Sequence, residues 1–593
     1  MILQSLASYY DYLVKEHPER VARPGWCARQ VAFMLDVSPQ GDLRGIIPAE
    51  EKRGWSKTVP EQSKRTVGID ANFLCDNATY LLGTDLKGKP ERARQCFEAA
   101  KERHLALLSG VNSVAAKAVC AFFSTWNPAD ASEHPEVIAA GESLLAGGNL
   151  VFLVDGKEVL SDAMVCATWD DRYGTVSDDA VVMTCLVSGE KAPIARLHPS
   201  IKGVMGAQAM GASLVGFNAR AFESYGHDEE QGLNAPVSEQ ATFAYTTALN
   251  YLLSDRKHHM RLGDTTVVYW ASKNDDICSQ LVTDIFNPPM TETSKDAPNT
   301  VSDSDQLIDD VMRKLAAGLP VADVDLETEF FVLGLAPNAA RLSVRFFHRD
   351  TFGAMLENIR EHYDRIAIVH APFEKKYLSP YRLLAETENP NAKQPAATSV
   401  LGGALMRSIL ENSPYPAALF TNALLRTRAT RDSDERHTRK VTRGRAAIIK
   451  AYLLHNCGKD DKEVTVVLNE ERTDAPYVLG RLFSVLENIQ DAANPSLNST
   501  IKDKYFDSAS TTPGMVFPII IKLSDRHLKK LMRDSGGLAI SLSKARGELI
   551  GKINTFPQRL SLEEQGEFIL GYYHQTQKRY EGKNKDKSEN QEA

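Results

Sequence analysis

No apolar run in this 593-residue sequence approaches the ~18 residues needed to cross a bilayer, which argues against a helical membrane protein. The first residues, MILQSLASYYDYLVKEH, carry neither a basic leading segment nor a small-residue cleavage site, so no secretory signal is expected and a cytoplasmic location is. Cysteine is sparse. Of the eight, the closest pair, Cys166 and Cys185, stands 19 positions apart, so there is no C-x-x-C unit and no zinc-ribbon spacing. Reduced thiols in an apolar core are the simpler expectation. Catalytic signatures are missing too. There is no G-x-S-x-G and no H-E-x-x-H, and His258-His259, being adjacent, point apart. The glycine-rich stretch GVMGAQAMGAS (203–213) lacks both the Gly-Lys-Ser/Thr ending of a P-loop and the G-x-G-x-x-G fingerprint.

Charge is present in both signs but unevenly placed. The net charge is −8, which alone does not suggest a nucleic-acid binder. Residues 301–330 hold 8 acidic and 2 basic side chains, whereas 421–450 hold 9 basic and 3 acidic. A local basic stripe can bind phosphate on an acidic chain, because screening makes the field at the contact a local matter. The acids Asp303, Asp305, Asp309 and Asp310 are the only cluster that suggests a divalent metal, and a solvated helix start is the plainer reading. No metal and no cofactor is expected. The loop between Ser213 and Leu253 is crowded with neutral hydrogen-bonding groups, among them Asn218, Glu223, Ser224, Tyr225, Gln231 and Asn234, but pairs no nucleophile with a base. It reads either as a recognition surface or as a set of turns whose amides satisfy backbone groups.

Periodicity gives an α+β, multidomain chain. Ile2, Leu3, Leu6, Tyr10 and Leu13 follow a helical period. VAFMLDVSPQGDLRGII reads as a hairpin turning at Pro39–Asp42, and LVFLVDGKEVL as one turning at Asp155-Gly156. Pro90 opens a helix, Ser238 caps another, and LGDTTVVYWA is a buried strand. These give a mixed N-terminal α/β region with β-hairpins over 1–286, a Pro/Ser/Asp-rich linker at 287–305, and a small central α+β unit with the basic segment at 306–460. A C-terminal all-helical bundle follows at 461–580, and a charged tail expected to be disordered at 581–593.

Several long stretches resemble one family. They are HPSIKGVMGAQAMGASLVGFNARAFESYGHDEEQGLNAPVSEQATFAYTTALNYLL (198–253), NFLCDNATYLLG (72–83), FFVLGLAPNAARLSVRFF (330–347), APYVLGRLF (475–483) and GYYHQ (571–575). Together they resemble the large subunit of the type I-C CRISPR interference complex, over nearly the whole length. The resemblance implies a subunit without catalytic activity. It would sit beside the guide RNA with the backbone subunits and the subunit that caps the 5′ handle. It would read a short protospacer-adjacent motif in double-stranded DNA, help open the duplex and stabilise the R-loop. It would then present that complex to a helicase-nuclease, while sequence reading beyond the motif is left to base pairing. The C-terminal bundle would resemble the small subunit that partners it. Within that frame, residue chemistry and loop placement nominate Lys64, Arg65, Asn72, Asn77, Gln208, Asn218 and Asn234 for motif reading. Arg426, Arg428, Arg431, Arg436, Arg439, Lys440, Arg443 and Arg445 are nominated for nucleic-acid backbone contacts. The competing reading is a metal-dependent nuclease on the same nucleic acids, for which only the 303–310 acids offer ligands.

Overall fold

The structure is a computed structural model. It describes residues 1–589 apart from 51–53, 63–67, 85–88, 146, 174–179, 218, 225, 274, 287–302, 322–323, 394–395, 436–437, 496 and 498. The chain forms two compact units, Met1–Pro199 with Val215–Tyr251, and Ser200–Leu214 with Leu252–Ala593.

In the first unit, strands β1 (Trp26–Val37), β2 (Leu43–Pro48), β3 (Trp55–Pro60), β4 (Cys75–Asp76), β5 (Asn149–Val154) and β6 (Lys157–Glu158) form one sheet. β1 and β2 make the expected hairpin, while β1 and β5 run parallel, with Leu35 opposite Phe152. The β5–β6 turn places Asp155 and Gly156 at φ 50° and 75°, the left-handed pair that a two-residue hairpin requires. Helices Pro90–Leu108 and Val114–Thr125 carry Phe97, Phe122 and Phe123 into the core that Phe33, Leu35 and Phe152 supply from the sheet. The opposite sheet face holds a smaller cluster of Val31, Met34, Val59, Cys75, Val151 and Leu153. A short hairpin of β7 (Val182–Thr184) and β8 (Lys191–Pro193) follows, and Ser238 Oγ accepts the Ala241 N–H (3.2 Å) at the start of helix Glu239–Ser254.

The second unit is built on an antiparallel sheet of β9 (His259–Leu262), β10 (Thr265–Ala271), β11 (Glu329–Asn338) and β12 (Arg341–Thr351), in the order β12-β11-β10-β9. All seven residues of β10 are buried, as its β-branched and aromatic composition implies. The boundary expected at 286 therefore falls inside one sheet. β9–β10 and β11–β12 lie on either side of 287–305 in sequence yet pair in space, with Trp270 opposite Phe331. Residues 287–302 of that segment lie outside the described residues, and from Asp303 the chain is helical to Ala316.

The boundary expected at 461 also crosses a continuous core. Gly566, on helix Leu562–Glu589, sits against Ile449 and Phe420 of helices Arg443–His455 and Ala417–Ala429. Helix Ala475–Ala493 is buried along almost its whole length. It meets Leu562–Glu589 at a reciprocal glycine contact. A Cβ on Gly480 would overlap the Phe568 carbonyl, and a Cβ on Gly571 the Tyr477 carbonyl. The helix Leu562–Glu589 runs on through most of the segment expected to be disordered from 581. Ser213, expected to open a strand, makes only a single bridge to Arg341. No helix among the described residues is long and apolar enough to cross a membrane.

Candidate nucleic-acid interface

Lys64 and Arg65 lie outside the described residues. Asn72 is buried, and its amide donates to Gln62 Oε1 (2.7 Å) while its backbone N–H donates to Asp76 Oδ2 (2.9 Å). Asn77 caps the short helix Ala78–Leu81 by accepting the Tyr80 N–H. Between them Leu74 takes a left-handed φ of 57°. Its N–H donates to Nε2 of the buried His104 (2.9 Å), whose Nδ1 donates to the Ala100 carbonyl (2.6 Å). The two bonds fix a neutral imidazole, and burial, aided by the nearby Arg103 charge and opposed by the Ala100 bond, lowers its pKa to about 4. Asn72 and Asn77 thus serve a folded turn rather than an open reading surface.

The polar loop before helix Glu239–Ser254 is likewise bound up with itself. Asn234 accepts the Ser224 N–H (2.8 Å) and donates to the carbonyls of His227 (2.9 Å) and Gln231 (3.0 Å). Gln231 Oε1 takes the Arg196 Nε–H (3.1 Å), and Glu223 accepts the Glu229 N–H (3.0 Å). The second of the two readings of this loop, amides satisfying turns, describes Asn234. Asn218 lies outside the described residues. Gln208 differs from its companions. It is exposed, on a glycine-rich loop closed by the Ile201–Ala212 bridge and flanked by exposed Met205 and Met210. Gly203, Gly206 and Gly211 there have φ of 87°, 80° and 92°, so the loop's path depends on glycine.

The basic stripe does not form one surface. Lys440 is buried, with Nζ on the Arg428 carbonyl (2.7 Å) and on Asp507 (2.7 Å). Arg445 is buried on the carbonyls of Glu386, Arg439 and Lys440, with the Glu386 carboxylate 3.4 Å away. Arg443 is buried on the carbonyls of Lys375 and Lys376. Burial pushes the pKa of both guanidinium groups down. These three cations fasten the chain internally, where a carbonyl-lined site offers a phosphate no approach. Arg431 and Arg439 are exposed, Arg439 sharing itself with Asp434 (2.6 Å), and Arg426 and Arg428 are half-buried. Arg436 lies outside the described residues.

A cationic face absent from these expectations lies on helix Pro513–Asp534. Lys522, Arg526, Lys529 and Arg533 are all exposed, at steps of four, three and four residues, and none makes an ion pair among the described residues. That spacing sets them on one side of the helix over roughly 16 Å, the length of about five nucleotides of one B-form strand. Lys530 beside them donates to Asn494 Oδ1 (2.7 Å). The signal was available as an i, i+4, i+7, i+11 period of cations, hidden in windowed charge by Asp525, Asp534 and Glu548.

Of the acids of 303–310, the side chain of Asp303 lies outside the described residues and the other three are occupied. Asp305 accepts the Lys376 N–H (3.0 Å), Asp309 takes Lys376 Nζ and the Tyr377 hydroxyl (2.5 Å each), and Asp310 pairs with Arg313 and Lys314. No group of three metal-ligating side chains occurs among the described residues.

Fold and surface together describe a large multidomain α+β protein that presents a cationic helical face. A family model places it among the CRISPR-associated proteins. The chain belongs to the family CRISPR-associated protein (Cas_Csd1), whose model matches residues 6–580. No curated protein sequence matches it.

Proposed function

We propose that this chain is the non-catalytic large subunit of a cytoplasmic, RNA-guided type I-C surveillance complex. In that reading it recognises the protospacer-adjacent motif in double-stranded DNA, helps open the duplex and stabilises the R-loop. Its partners are the guide RNA with its backbone and 5′-handle-capping subunits, a small subunit, and a helicase-nuclease recruited to the open complex. The observation that carries the proposal is the family match over 6–580.

The surface supports a division of labour within it. Gln208, an amide on a narrow exposed glycine loop, has the chemistry to read base edges or hold separated strands. Lys522, Arg526, Lys529 and Arg533 hold phosphates without reading sequence, joined by Arg431 and Arg439.

Affinity capture of the tagged chain from cells carrying its native operon tests the reading. Guide RNA and its backbone subunits are expected to copurify. Capture of the chain free of RNA contradicts membership of the complex, and cleavage of labelled DNA by the pure chain with Mg²⁺ or Mn²⁺ contradicts the non-catalytic assignment.

A further inference from the structure

The loop Val369–Tyr377 in the second unit carries Phe373, 82 % exposed, among the least covered large apolar side chains described. A single exposed apolar residue is ordinary. What sets this one apart is how firmly its loop is held. Arg443 Nη1 and Nη2 donate to the carbonyls of Lys375 (2.5 Å) and Lys376 (2.6 Å). Asp305 accepts the Lys376 N–H (3.0 Å), and Asp309 takes the Lys376 ammonium and the Tyr377 hydroxyl (2.5 Å each). On the other side, the Tyr573 hydroxyl donates to the Val369 carbonyl (2.7 Å), and the Val369 N–H donates to the Val466 carbonyl (2.9 Å). Within the turn, Glu374 folds back so that its carboxylate accepts the Ala371 N–H (3.2 Å).

Burying a guanidinium on neutral carbonyls is costly, and what Arg443 achieves there is a fixed path for residues 375–376. The outcome is an aromatic ring held in water on a braced backbone. Such a ring binds a partner without first having to be ordered. Lys375, two residues on, is exposed and makes no ion pair among the described residues. An aromatic face next to a free cation is the pair that single-stranded nucleic acid engages, base on ring and phosphate on cation.

We propose that Phe373 stacks on an unpaired nucleobase and that Lys375 holds an adjoining phosphate. The proposal rests on the nucleic-acid role above. The base can come from displaced DNA or from RNA outside a duplex, since both offer the same π-face. A base inside a duplex is already stacked and offers none.

The test uses the full chain at low salt with three probes: 2-aminopurine-labelled single-stranded DNA, the same sequence as RNA, and blunt duplex DNA. Phe373→Ala removes an exposed ring and leaves the core intact, and Phe373→Trp keeps a stacking face. Phe373→Ala is expected to weaken single-strand binding by about 5- to 150-fold, the worth of one base–aromatic stack, and to abolish the 2-aminopurine quench. Phe373→Trp is expected to retain both, and duplex binding to stay within about twofold for every variant. Loss on the DNA probe, the RNA probe or both identifies the source of the base. Equal binding by wild type and Phe373→Ala, or equal loss on single strands and duplex, overturns the proposal. So does a Phe373→Ala chain that binds every probe normally yet no longer copurifies with RNA-bearing subunits, which would make the ring a protein anchor. A wild-type chain that binds no single-stranded probe also overturns the proposal, whereas an RNA-loaded assembly that binds target DNA equally well with and without this chain refutes the broader nucleic-acid role.

Discussion

Replacing Lys522, Arg526, Lys529 and Arg533 together by Gln removes four exposed charges from one face of helix Pro513–Asp534 and leaves its buried side, with Phe517, Ile520, Leu528 and Leu531, untouched. Folding stability should stay within roughly 0.5 kcal/mol of wild type, as for other surface changes. Binding should change in a way that can be worked out. Each phosphate contact contributes about 0.7 to the slope of log K against log salt for a single strand and about 0.9 for a duplex. Four lost contacts flatten that slope by about 2.8 on a single strand. Between 50 and 200 mM salt, wild type should therefore lose roughly 50-fold more affinity than the variant. If the face holds duplex, the corresponding slope change is about 3.6 and the extra loss roughly 150-fold. Fluorescence anisotropy of the RNA-loaded assembly on labelled target DNA, titrated in salt, measures this directly. The reasoning is refuted if the variant assembly is as stable as wild type and its slope is the same.

Other changes should act on folding alone. Arg445→Ala leaves the Glu386 carboxylate short of its cation and three carbonyls without a donor, and should cost about 3–5 kcal/mol in urea unfolding with no change in salt slope. Gly571→Ala pushes a methyl into the Tyr477 carbonyl at the crossing of two buried helices and should lower stability by about 1–3 kcal/mol or more, seen as a lower melting temperature. His104 stays neutral in the fold with its pKa lowered from 6.5 to about 4. As pH falls through that window the unfolded chain takes up a proton that the folded chain refuses. Stability present above pH 6.5 is thus lost, by about 2 kcal/mol between pH 7.5 and 5 for such a group. Urea midpoints at the two pH values should show a smaller drop in His104→Asn than in wild type.

Local chemistry was readable wherever a short stretch carried its own signal. The Asp155-Gly156 turn, the Pro90 helix start, the Ser238 cap and the buried run Thr265–Ala271 all form as composition and spacing imply. Pairings across long separations were not. The sheet that joins β10 to β11 spans a segment whose composition reads only as a linker, because strand register is settled by side chains on both strands. Charge was misread for the same reason. Lys440 meets Asp507 and Arg443 meets the 375–376 carbonyls, partners 67 to 68 residues away, so a dense run of cations says nothing about which of them face water. Asn72 depends on Gln62, ten residues off on a loop with no periodic pattern. The Pro513–Asp534 face carries a readable period, but one of charge rather than of apolar residues.

The central claim is that target DNA is captured through this chain while it sits in a guide-bearing assembly. Its most direct test is the affinity of the assembly for duplex DNA carrying a matched target and its flanking motif, measured with and without this subunit. With the chain present, binding should be about a thousandfold or more tighter than on an unmatched duplex, the lower range for specific over non-specific binding, and omitting the chain should abolish that difference. Equal, motif-dependent affinity in both preparations would contradict the account.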